Sequence, residues 1–144
     1  MVVAALAMAS CSKDESTGIN NGNAIDFRAV MQTRASETTT ANITNFFVTA
    51  LDKNNANYFT NAEFTKDGAF FTSTPAYYWP SDGSNLSFFV YSPSAADLGA
   101  TVTINSTTKT LADFQPATTI ADQKDFITAT ATGSKTDEAA GVAL

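Results

Sequence analysis

Few residues of this chain can do chemistry, and their types narrow what that chemistry is. Histidine is absent from all 144 residues, which removes the commonest general base and the commonest zinc ligand together. Aspartate and glutamate number 14, yet none stands in an acid/base motif that hydrolysis would use. The reading is therefore non-enzymatic, with no catalytic residue, no cofactor and no metal. Asp52 and Asn54 superficially suggest a calcium loop, but Ala56 stands where a third oxygen ligand belongs. Two residues keep a chemical role. Cys11 is the single thiol, so it has no internal disulfide partner. Arg34, followed by Ala35, lies in a polar, Thr-rich link from Met31 to Thr40, where a protease that selects arginine would find it accessible.

The surroundings of Cys11 give it a use. Residues 1–10 are apolar, built from small side chains and too short to span a bilayer, and Met8-Ala9-Ser10 precedes the cysteine. This resembles the lipobox of a bacterial lipoprotein precursor, in which the cysteine is acylated and becomes the new N-terminus. Met8 replaces the usual leucine, and no Lys or Arg precedes the apolar run, so the basic start of the signal is expected upstream of Met1. Residues 11–23 carry almost nothing apolar and read as a flexible tether. Lys13-Asp14-Glu15 also looks like the acidic export signal of surface lipoproteins in the Bacteroidetes; as a charge run alone it is a solvated linker.

Residues 24–144 read as the folded domain, and their elements are strands. Composition is rich in Thr, Ser, Asn and Ala, only 15% charged, and so poor in helix formers. Ile25, Phe27 and Ala29 alternate with Asp26, Arg28 and Val30, the pattern of a strand with one covered face. Phe46, Val48 and Ala50 repeat it, and Asp52 to Asn57 supplies a turn into Tyr58-Phe59. Lys66-Asp67-Gly68-Ala69 signals a hairpin. The densest apolar stretch, Tyr77 to Pro93, reads as a central hairpin: Tyr77, Tyr78 and Trp79 stop at Pro80, Ser81 to Asn85 turns, and Leu86 to Tyr91 runs to Pro93. Leu86, Phe88 and Val90 share one face and Phe89 and Tyr91 the other, so this strand is expected to be covered on both sides. Val102, Ile104, Leu111 and Phe114 flank a turn at Asn105 to Thr107. Gln123 to Ala129 reads as a strand, Thr132 to Ala140 as a polar loop, and Gly141 to Leu144 as the start of a strand without a partner. A domain cut short at its C-terminus is the expectation.

The order of these motifs resembles the N-terminal domain of the fimbrillin family of the Bacteroidetes. The resemblance rests on Thr33-Arg34-Ala35 together with Tyr78-Trp79-Pro80-Ser81-Asp82-Gly83, Leu86 to Pro93 and Lys124 to Ala129. It implies an all-β, transthyretin-like sandwich of Greek-key type, exported as a lipoprotein to the cell outer membrane and surface-exposed there. It further implies processing at Arg34/Ala35, and a fimbria whose other subunits are its partners by strand exchange. The displaced strand would contain Ile25, Phe27 and Ala29. Cys11 would tie the chain to the outer membrane, and a host protein or glycan would be its receptor. A net charge of −6 argues against nucleic acid as a partner. The alternative is a monomeric surface lipoprotein that binds glycan through a sandwich face. Exposure of Tyr77, Tyr78 and Trp79 separates the two, because stacking platforms must face solvent.

Overall fold

The computed structural model describes residues 24–29 and 43–144. Nine strands dominate: β1 Phe27–Arg28, β2 Asn45–Leu51, β3 Asn57–Asp67, β4 Phe70–Thr72, β5 Leu86–Ser92, β6 Thr101–Ile104, β7 Lys109–Ala112, β8 Ile127–Gly133 and β9 Val142–Ala143. One short helix, α1 Ala95–Leu98, is capped by Ser94, whose Oγ accepts the Asp97 N–H. The large sheet has the order β8-β5-β2-β3-β4-β1-β9, and β6 pairs with β7 apart from it.

This sheet is folded over on itself. Phe27 on β1 and Phe88 on β5 lie four strand positions apart, which in a flat sheet would separate them by about 19 Å at the usual strand spacing. Their rings are instead 5.1 Å apart. The strands β4-β1-β9 therefore form a second layer against β8-β5-β2-β3, giving the all-β, sandwich-like arrangement that the sequence suggests. The core between the layers contains Ile25, Phe27, Phe46, Val48, Phe64, Phe71, Trp79, Leu86, Phe88 and Val142.

Local sequence explains the hairpins. Between β2 and β3, the Asp52 carboxylate accepts the N–H groups of Asn54 and Ala56, and Asn55 takes a left-handed conformation. Between β3 and β4, Gly68 at φ 62° makes the reversal at the expected place. A register shift in the β2–β3 ladder follows Val48. There the Asn61 N–H donates to Thr49 Oγ1, and Tyr91 OH donates to Asn61 Oδ1. This bulge suspends strict alternation, so Val48, Thr49, Ala50 and Leu51 are all buried.

Strand β5 is central, between β2 and β8, and its far face is roofed by the β6–β7 hairpin. Val102, Ile104 and Leu111 line a largely apolar space with Phe89, Tyr91 and Phe126, and Lys109 Nζ sits 4.5 Å over the Phe89 ring. Coverage of both faces agrees with the sequence.

The expected central hairpin does not form. Tyr77 to Trp79 never pairs with β5; Tyr78 bridges Ala24 instead. Both edges of β5 are already occupied, by β2 on one side and β8 on the other, which leaves Tyr77 to Trp79 no open edge to pair with. The turn itself survives: Gly83, at φ 71°, donates to the Pro80 carbonyl. Two further corrections concern the C-terminal part. The strand expected over Gln123 to Ala129 runs from Ile127 to Gly133, because Ile127, Ala129 and Ala131 alternate inward against the whole length of β5. The Gly141–Leu144 segment, expected to lack a partner, pairs in parallel with β1.

Candidate functional site

The chemistry left open by the sequence is exchange of a strand, and the candidate site is the segment 24–29 with the groove that holds it. Its inward side chains are fully used. Ile25 is 1% exposed and Phe27 0%, and Ala29 packs half-buried against the same core. The Phe27 ring meets Phe46, Phe64 and Phe88 edge-on, at centroid distances of 5.7, 4.8 and 5.1 Å. Burial of one such Phe and one Ile is worth roughly 3–6 kcal/mol together.

The backbone is held on both sides. Phe27 lies opposite Phe71 on β4 and opposite Val142 on β9. The Ile25 N–H donates to the Tyr77 carbonyl at 2.8 Å, Val142 N–H to Asp26 O at 2.8 Å and Leu144 N–H to Arg28 O at 3.0 Å. Arg28 Nε adds a bond to the Gly141 carbonyl at 3.2 Å. Gly141 needs to be glycine: its φ is 88°, and a Cβ there would stand 3.1 Å from the Phe70 ring. Withdrawal of β1 would leave β4 and β9 with open edges and an apolar slot between the layers, which is costly until another strand fills it.

Electrostatics single out Asp26. It is 4% exposed, its Oδ2 has no hydrogen-bond partner, and burial, followed by the nearby Asp67, pushes its carboxyl above the usual range. Elsewhere, a hydrogen bond from Lys53 holds Asp82 well below the ordinary carboxylate value. Ser94 and then Lys124 lower Asp97, and burial raises the Tyr91 phenol. These groups are scattered, and among the described residues no three His, Cys, Asp or Glu side chains gather to hold a metal.

Ile25, Phe27 and Ala29 are thus brought together as a seated strand. Cys11, Arg34 and Ala35 lie outside the described residues. Tyr77, Tyr78 and Trp79 do not make a platform: Trp79 is buried against Phe88 with rings 5.7 Å apart, and Tyr77 stacks on Phe59 at 4.3 Å. Tyr78, 58% exposed, is the member of the trio that faces solvent, with the Tyr58 hydroxyl donating to its carbonyl at 2.9 Å. Sequence reasoning missed Asp26, Gly141 and Val142. Asp26 sits on the polar side of an alternating strand and so read as solvated. For Val142, the apolar Gly-Val-Ala-Leu end was the signal, without a hint of its partner.

The described residues form an all-β sandwich in which the short β1 lies between β4 and β9. The fimbrillin-like family model matches residues 33–144, and the chain belongs to that family. The family is one of structural fimbrial subunits, which gives this chain a fimbrial-subunit role at the cell surface, in association with other subunits. No curated protein and no solved structure matches the chain.

Proposed function

We propose that this chain is a fimbrial subunit or accessory subunit that polymerises by strand exchange. It is anchored first to the outer membrane through an acyl group on Cys11. Cleavage between Arg34 and Ala35 then detaches the segment carrying Ile25, Phe27 and Ala29, together with the anchor. A strand from a neighbouring subunit takes the vacated groove, restores the β4 and β9 ladders and refills the Phe27 position with its own apolar side chain. The carrying observation is the seating of β1: wholly buried on its inner face, hydrogen-bonded on both edges, yet contributed by a segment that lies ahead of the family match at residue 33. A cut at Arg34 frees this strand and leaves β2 to β9 intact in sequence.

The test uses cells making the full-length protein in the presence of an arginine-specific protease. Unmodified protein is expected to give a heat-resistant polymer ladder, with lipid label confined to the fragment ahead of the cut. Arg34→Ala should abolish the ladder and retain label on the whole chain, with folding unchanged. Equal ladders from both would refute exchange through this site. A labelled monomer in both would favour the anchored, glycan-binding alternative.

A further inference from the structure

Asp26 is the one side chain of the N-terminal segment that neither packing nor pairing accounts for. Its outward neighbour on the strand, Arg28, is exposed and bonded to the Gly141 carbonyl, whereas Asp26 is closed off from solvent with Oδ2 unpartnered. Ser73, directly after β4, carries the other buried, unpartnered side-chain oxygen among the described residues. The strands flanking β1 bring Asp26 no ionisable side chain, since β4 is Phe70–Thr72 and β9 is Val142–Ala143. The β3–β4 reversal contributes Lys66 and Asp67, and the turn ahead of β9 contributes Lys135, Asp137 and Glu138. Asp67 acts on Asp26 unfavourably. An ionised carboxylate buried in this way is destabilising, whereas the neutral acid is tolerated far better.

We propose that Asp26 makes retention of the N-terminal strand acid-dependent, the strand being held firmly while Asp26 is protonated and loosened once Asp26 is ionised. This rests on the reading that β1 is the displaced strand. The direction follows from linkage: the seated carboxyl titrates above the ordinary value, and the released one returns to it. The contribution to seating is fully present below the released carboxyl's pKa, near 4. It is lost as pH rises through the higher value of the seated strand. Near-neutral surroundings would then favour strand departure, and an acidic compartment would store the subunit closed.

Hydrogen exchange on the full chain tests this, read at the amides of Ile25, Val142 and Leu144, whose hydrogen bonds report directly on β1. After correction for intrinsic exchange, their protection should fall as pH is raised from about 4 to neutrality. The fall should be about tenfold for each unit by which seating raises Asp26. The β2–β5 ladder should stay level, and Asp26→Asn should flatten the β1 profile. Asp67→Asn should keep the fall but move it to lower pH, and it decides the matter if Asp26→Asn does not fold. A flat profile in the unmodified chain, a slope retained in Asp26→Asn, an unmoved slope in Asp67→Asn, or a β2–β5 ladder that changes in step would overturn the proposal. The assembly reading fails separately: a ladder of polymers without the pH slope refutes the acid-dependent hold alone. A slope without an Arg34-dependent ladder refutes assembly and leaves the hold standing.

Discussion

Phe27 fills a place that exists because three other phenylalanines leave it. Phe46, Phe64 and Phe88 present their rings to it at 5–6 Å from three different strands, so truncation removes edge contacts as well as apolar area. Phe27→Ala should destabilise the uncut chain by about 3–5 kcal/mol, read as a lowered urea midpoint. In the exchanged polymer the same substitution should have no effect, because residue 27 departs with the cleaved segment. Phe88→Ala should weaken both forms by a similar amount. Equal sensitivity of polymer and monomer to Phe27→Ala would mean that β1 stays in place. The alternation of Ile25, Phe27 and Ala29 made this inward face legible in the sequence. Asp26 was not legible, because period two places it outward and only the fold shows that the outward side is also covered.

At the scale of elements, the joint between β1 and β9 holds the N-terminal segment to the end of the described chain. It is the one parallel pair among the described strands, and Gly141 lets β9 approach it. Gly141→Ala should cost more than about 1 kcal/mol in the uncut chain, since alanine is strained at φ 88° and its Cβ meets Phe70. A thermal or urea melt checks this, and an unchanged midpoint would mean that β9 contributes little. The β2–β3 turn and the β3–β4 hairpin were legible because their turn residues are adjacent to what they turn, while between β6 and β7 only the turn at Asn105 to Thr107 was. The β1–β9 pair was not, for its partners are more than 100 residues apart and neither is long enough to show a period. Tyr77 to Trp79 failed for a related reason. Aromatic content identified core residues correctly, as Trp79 shows, but apolar surface alone does not specify which backbone a segment pairs with.

At the scale of the whole molecule, β1 lies seated between β4 and β9, and in the proposed assembly one cut removes it and a neighbour supplies its replacement. In that assembly β1 leaves the groove. Arg28 and Ala143 face one another in the parallel register, and both are exposed. The double substitution Arg28→Cys and Ala143→Cys therefore places a disulfide across the joint, at the usual spacing of neighbouring strands. With the bond formed, cleavage at Arg34 should proceed while the polymer ladder is absent; on reduction the ladder should return. A ladder of equal intensity with the bond intact would contradict strand exchange through this groove.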